Sequence, residues 1–336
     1  MGAPATPEEL LGRLAALVCE GDEATVDEIR AGLAASIDQT LLDPSAGPER
    51  VAVWARDNAG EGYATLCVQP CNVGRVAWEL ERLGSPTRAC CVVAFPHGQQ
   101  TAEGVCFEVA LALAAGAGEL DLVMNYGAFL EGSYDAVAEP ILAALRTIDA
   151  EPEDEDDGRA CGCDDGCACD GECACGEGHD HGSDGDCGCG CDDGCACGEG
   201  RDHDAGGHEG HGHDGHDHED RPLLKVILET GCLEPEQICR ATDLVSSLGV
   251  DFVKTSTGFG PRGATADDVR LMCATVEPGV QVKAAGGIRC LADAVTMLEA
   301  GATRLGTSHG AQILGEFDAL VDALSARRGD AETCRA

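Results

Sequence analysis

The sequence predicts an α/β fold, a (β/α)8 TIM barrel carrying a Cys/His/Asp-rich low-complexity insertion between its fourth helix and fifth strand. Three observations predict it. Short apolar runs alternate with amphipathic segments of helical length, and the alternation repeats eight times. Strands alternating with helices imply a parallel sheet, and eight such units fit a closed barrel better than a doubly wound sheet. The doubly wound alternative needs a Gly-rich turn after its first strand, where Asp38-Gln39-Thr40-Leu41-Leu42-Asp43-Pro44 stands instead. The third observation is the window 151–220, which has no Leu, Ile, Val, Met or aromatic residue and cannot build a core.

The elements follow in chain order. Pro7 to Val18 and Val26 to Ala34 have helical spacing and read as a lead-in. Strands are expected at Ser36–Asp38, Tyr63–Val68, Ala89–Phe95, Glu119–Asn125, Leu223–Glu229, Asp251–Ser256, Gln281–Ala284 and Arg304–Thr307. Their helices are Pro48–Asp57, Val73–Leu83, Thr101–Ala115, Ala128–Ile148, Pro235–Leu248, Ala266–Thr275, Ala292–Ala300 and Ala311–Ser325. Residues 1–150 thus make the lead-in and first part of the barrel, 151–220 the insertion, 221–327 the second part, and 328–336 a tail.

The formal charge of −39 disfavours nucleic acid and anionic membranes as partners, since both would be repelled. No apolar run approaches the length of a membrane span, and the first nine residues lack the basic start and apolar middle of a signal peptide. A cytoplasmic protein is expected, and its assembly state, with a homodimer among the options, is not set by the sequence.

Among 22 basic residues only three are lysines, Lys225, Lys254 and Lys283, and each lies within or after a short apolar run. Desolvation opposes the charged form of an amine, so a lysine at the buried end of a strand is costly unless its chemistry is used. A neutral lysine can form a Schiff base with a carbonyl, which Arg cannot. In a barrel the active site forms at the C-terminal ends of the strands. Asp38, Thr40, Asp121, Asn125, Lys225, Glu229, Lys254 and Lys283 are expected there. Lys225, Asp38 and Glu229 fit an interior ion-pair set as well as a catalytic one.

A second ammonium disfavours the charged form of its neighbour, and Lys283 would act so on Lys254. Asp121 would then shuttle protons to and from the carbinolamine and enamine. Gly286-Gly287-Ile288-Arg289 and Gly306-Thr307-Ser308-His309-Gly310 each follow a strand and precede a helix, so backbone amides at those helix starts are expected to receive a phosphate.

These residues resemble the 2-deoxyribose-5-phosphate aldolase family. The resemblance rests on Ile37 to Leu42, Phe95-Pro96-His97-Gly98, Glu119 to Asn125, Leu224 to Gly231, Val253 to Phe259, Val282 to Arg289 and Arg304 to Ser308, within residues 5–150 and 221–326. It implies Lys254 as the Schiff-base lysine, Lys283 as the lysine that tunes it, and Asp121 as proton donor and acceptor. Gly258, Gly286, Gly287, Arg289, Gly306 and Ser308 would hold substrate and phosphate, with Asp38, Thr40 and Lys225 in support. The family cleaves 2-deoxy-D-ribose 5-phosphate reversibly to D-glyceraldehyde 3-phosphate and acetaldehyde, with no metal or other cofactor for catalysis. Three positions depart from the pattern: Gln39 where many members have His, Ala94 where Gly or Asn is usual, and His309 in place of a common Ser.

The insertion has no counterpart in that pattern. It holds 24 of the 61 acidic residues, 11 of the 22 cysteines and 8 of the 10 histidines. Its cysteines are spaced by single residues: Cys161 with Cys163, Cys167 with Cys169, Cys173 with Cys175, Cys187 with Cys189 and Cys191, and Cys195 with Cys197. The run 162–169 recurs at 190–197, and a His tail follows that includes His211, His213, His216 and His218. Such ligands suit Zn, Cu(I) or Ni, in the manner of metallothionein spacing. Two alternatives stand beside the aldolase: a metal-sequestering protein that keeps the barrel as scaffold, and another Schiff-base aldolase on the same barrel.

Overall fold

The computed structural model describes residues 7–19, 24–150 and 221–333. Its strands β1 (Ile37–Leu41), β2 (Thr65–Val68), β3 (Arg88–Val93), β4 (Ala117–Val123), β5 (Leu223–Ile227), β6 (Phe252–Lys254), β7 (Gln281–Ala285) and β8 (Arg304–Thr307) pair in parallel, in chain order. β8 returns to β1 and closes the barrel.

The expected insertion at 151–220 lies outside the described residues, and with it every metal ligand that the sequence suggests. These are Cys161, Cys163, Cys167, Cys169, Cys173, Cys175, Cys187, Cys189, Cys191, Cys195 and Cys197, together with His211, His213, His216 and His218.

Eleven helices are described: α1 (Pro7–Val18), α2 (Val26–Ala35), α3 (Pro48–Asn58), α4 (Val73–Leu83), α5 (Ala102–Ala114), α6 (Tyr126–Leu130), α7 (Tyr134–Asp149), α8 (Pro235–Ser246), α9 (Ala266–Thr275), α10 (Leu291–Glu299) and α11 (Gly310–Thr333). Their starts are written in the sequence. Thr25 and Glu28 form a reciprocal cap on α2, while Thr101 and Thr265 accept from the third amides of α5 and α9. Pro48 and Pro235 open α3 and α8, where a missing amide hydrogen costs nothing. The single helix expected over Ala128–Ile148 is two, because Gly132 takes a left-handed φ of 79° between α6 and α7. The last helix continues to Thr333, past the expected end of the barrel at 327.

Strand alternation divides the interior into two compartments. Leu66, Val68, Cys91 and Val93 belong to the large apolar cluster shared with the helices, whereas Cys67, Cys90 and Val92 form a separate small one. The second set points to the other face of β2 and β3, into the barrel. Most of that inner space is ionic rather than apolar, and this positions the site.

Candidate active site

Register assembles the ionic cluster. Lys254 on β6 lies directly opposite Lys283 on β7, and Asp121 on β4 lies opposite Lys225 on β5. Residues paired this way on a parallel sheet face the same side, so all four enter the barrel. The Nζ atoms of Lys254 and Lys283 each lie 2.6 Å from Asp121 Oδ2, and Lys225 Nζ lies 3.0 Å from Asp121 Oδ1. One carboxylate thereby binds the three lysines of the chain.

A lower tier completes the set. Lys225 Nζ is 2.6 Å from Glu119, Lys283 Nζ is 2.5 Å from Asp38, and Arg304 Nη1 reaches Asp38 at 2.8 Å and Glu119 at 3.0 Å. Arg304 also lies over the Phe252 ring. Burial raises the Asp121 carboxyl, but Lys225, Lys254 and Lys283 outweigh it and hold Asp121 well below the usual carboxylate range. Asp38 is held down in the same way by Lys283, Lys225 and Arg304 against burial. Burial lowers Lys283 and Lys225, yet the carboxylates of Asp121 and Asp38 hold both above the usual lysine value, so they stay cationic.

A cavity of about 450 Å³ opens above this network. Lys254 lines it, together with Thr40, Gly258, Gly286, Gly287, Arg289, Gly306 and Ser308. All of the expected substrate-facing residues therefore meet at one mouth. Asp121, Lys283, Asp38 and Lys225 do not line it; they are fully buried beneath. For Lys225 and Asp38 the geometry is that of an interior ion-pair set. Glu229 is buried beside the mouth at a left-handed φ of 56° and binds the Thr257 hydroxyl and amide, which fixes the chain just beyond Lys254.

Four of the amides at these helix starts are already engaged. The amides of Arg289 and Cys290 donate to Asp293 Oδ2, that of His309 to Thr307 Oγ1, and that of Gly310 to Gln39 Oε1. Side chains of the chain itself fill these four donors, which leaves an anion the remaining amides of the two loops and the side chains beside them. Gly286 and Gly287 take φ of 87° and 83°, the left-handed turn that brings backbone to the cavity wall. Arg289 and Ser308 add side-chain donors, and Arg50, 2.7 Å from Asp43, lines the same end.

The departures noted in the sequence have structural counterparts. Gln39 is buried and bridges Gly310 to Asn58, a tie between β1, α3 and α11. Ala94 sits at a left-handed φ of 51°, which explains why glycine or asparagine would suit it better. His309 lines the cavity with its Nδ1 3.1 Å from Ser308 Oγ. Sequence reasoning missed Glu119 and Arg304 as parts of the network. The available signal was Glu119 two residues before Asp121, on the same face of the strand.

Comparison with known proteins agrees with this geometry. The family described as DeoC/LacD family aldolase matches residues 216–315. The deoxyribose-phosphate aldolase of Thermus thermophilus is 35% identical over 286 residues, covering 84% of this chain and 96% of its own. That of Clostridium kluyveri is 32% identical over 284 residues, covering 84% and 97%. Among solved structures, QR15, described as an aldolase, superposes with a TM-score of 0.60 at 27% identity, covering 85% of this chain and 95% of its own. A deoxyribose phosphate aldolase from Aeropyrum pernix, described as having a unique tetrameric structure, shares the fold with a TM-score of 0.62 at 24% identity, covering 94% of this chain and all of its own. With its lysines gathered on one carboxylate beneath a glycine-lined mouth, the chain belongs to the deoxyribose-phosphate aldolase family.

Proposed function

We propose that this protein is a class I aldolase that reversibly cleaves 2-deoxy-D-ribose 5-phosphate to D-glyceraldehyde 3-phosphate and acetaldehyde. The observation that carries the reading is the pair of amines, Lys254 and Lys283, on one oxygen of Asp121 at the floor of the cavity. Among the described residues Lys254 is the only lysine that reaches the cavity, and its free amine attacks the aldehyde carbon of the open-chain sugar. The carbinolamine loses water to give an iminium. Removal of the C3 hydroxyl proton then breaks the C2–C3 bond, its electron pair flowing into the iminium to leave an enamine.

Lys283, held cationic, supplies positive charge beside the iminium and carries protons. Asp121, held ionised, orients both amines and accepts and returns protons through them. Arg289, Ser308 and the backbone of Gly258, Gly286, Gly287 and Gly306 receive the phosphate. The cycle consumes no redox equivalent, and its acid, base and nucleophile are all side chains.

Borohydride reduction with deoxyribose 5-phosphate present tests the reading. A reduced two-carbon adduct on the peptide carrying Lys254, absent in Lys254→Arg, is expected. An adduct on another lysine, or none, overturns the assignment. Turnover of deoxyribose phosphate against hexose bisphosphates separates this activity from other Schiff-base aldolases.

The same reading extends to three coarser features. The insertion binds Zn, Cu(I) or Ni through its Cys-X-Cys pairs and His tail, apart from catalysis; a chelator then strips metal and leaves aldol cleavage intact. Residence is cytoplasmic, since all ten cysteines among the described residues are free thiols, as a reducing compartment keeps them. No helix of the described residues is long and apolar enough to cross a membrane. Phe107 and Leu111, 68% and 55% exposed one turn apart on α5, favour a homodimer, which sedimentation velocity checks.

A further inference from the structure

Beneath the catalytic lysines lies a pair of thiols that the aldol reaction does not use. Cys67 on β2 and Cys90 on β3 are register partners, point into the barrel and are 1% and 0% exposed. Their sulphurs and a carboxylate oxygen of Asp121 all lie within 4.8 Å of one another. Cys90 Sγ is 3.5 Å from Asp121 Oδ1 and 3.4 Å from Lys225 Nζ.

We propose that Cys67 and Cys90 form a peroxide-sensitive dithiol site whose oxidation to a disulfide disables the neighbouring Asp121. Adjacent positions on paired strands bring Cα atoms to about 5 Å, inside the range a disulfide spans. The pair is also electronically unequal. The neighbouring Cys90 sulphur, with Lys283 and Lys254 nearby, holds Cys67 below the usual thiol value against burial, whereas burial and the Cys67 neighbour push Cys90 well above it. Cys67 is thus the attacking sulphur and Cys90 the resolving one.

The chemistry balances with a hydroperoxide as oxidant. The Cys67 thiolate attacks one peroxide oxygen, and the O–O bond breaks. That oxygen stays on sulphur as a sulfenic acid, while the other leaves, protonated, as water or an alcohol. Cys90 Sγ then attacks Cys67 Sγ, the S–O bond breaks, and hydroxide departs with the Cys90 proton as water. Two thiols lose two electrons, and one hydroperoxide gains them. Asp121, which Cys90 touches, is 2.6 Å from the cavity-lining Lys254, so the dithiol lies one side chain below the cavity.

The same three groups could be imagined around a metal ion. Both Asp121 oxygens, however, are already held by lysine nitrogens at 2.6–3.0 Å, and a cation would be placed against the cationic Lys225 and Lys283. Oxidation adds no charge. It removes the Cys90 S–H that donates to Asp121 and draws β2 and β3 side chains together, so the carboxylate shifts away from both amines.

The full-length reduced protein, treated with hydrogen peroxide, alkylated in denaturant and digested, gives the test. A disulfide-linked peptide pair is expected, with fragment spectra separating Cys67 from Cys71 and Cys90 from Cys91. Turnover falls at least about tenfold alongside it and returns with dithiothreitol. In Cys90→Ala the link vanishes, and dimedone labels Cys67 instead. Absence of the link in wild type overturns the proposal, as does a reversible loss in wild type that develops without the link, which would place it on other thiols. Should Cys90→Ala fail to fold, the wild-type peptide map still decides, and it does so without any assay of aldolase activity.

Discussion

Arg304 and Lys225 never reach the cavity, yet they set the charge around Lys254. With every basic group protonated, Lys225, Lys254, Lys283 and Arg304 oppose only Asp38, Glu119 and Asp121. Asp121→Asn removes the carboxylate that three lysines share. It is expected to lower kcat by about 10²-fold or more, as loss of a general acid–base does. Stripping one partner from a buried ion network should also cost about 3–5 kcal/mol. Single-turnover kinetics and urea unfolding check the two separately. The sequence made Lys254, Lys283 and Asp121 legible because a chain with three lysines, each beside an apolar run, gives each a burden of explanation. Arg304 stayed hidden, since one arginine among 19 carries no such signal.

At the scale of elements, strand register and the space left by glycines make the site. Gly306 on β8 faces its neighbour β7: a methyl group there would meet Ala285 Cβ at 2.9 Å and Lys283 Cε at 3.2 Å. Gly306→Ala therefore forces Ala285 in the cavity wall to shift and presses on Lys283 beneath it. Turnover is expected to fall about 10- to 100-fold, with folding intact by circular dichroism. Short apolar runs and period-3.6 patterning were enough to find every strand and nearly every helix, because both faces of these strands must be filled. Two local features were not legible. The break between α6 and α7 depends on a backbone turn at Gly132, and the filled amides at the starts of α10 and α11 depend on Asp293, Thr307 and Gln39 reaching back to them.

For the whole molecule, the interior network writes a pH profile of stability. Asp121 and Asp38 are depressed in the fold, so their stabilisation is present above the unfolded carboxylate value of about 4 and is lost as pH falls below it. Lys225 and Lys283 are raised, so theirs is complete below the unfolded value of about 10.4 and is lost as pH climbs beyond it. Tyr63 acts in the same alkaline window: burial pushes its phenol up to about 12, so the unfolded chain releases that proton first. Thermal midpoints are expected to be level between about pH 5 and 10 and to drop on both sides. A midpoint that slopes steadily through neutrality would contradict this assignment.

The strand entry beside residue 150 is secured without help from the covalent chain. Arg221 bonds Asp149 at the end of α7 at 2.8 Å and Asp251 ahead of β6 at 3.1 Å, so both flanks of the 151–220 segment are stapled to the barrel floor. Strand β5 joins β4 through five register pairs and β6 through three. The enzyme should therefore survive being severed. With a protease site built in at 180–185 and cut, the two fragments are expected to co-elute and retain turnover within about twofold. Fragments that drift apart would show that this long excursion is a strut.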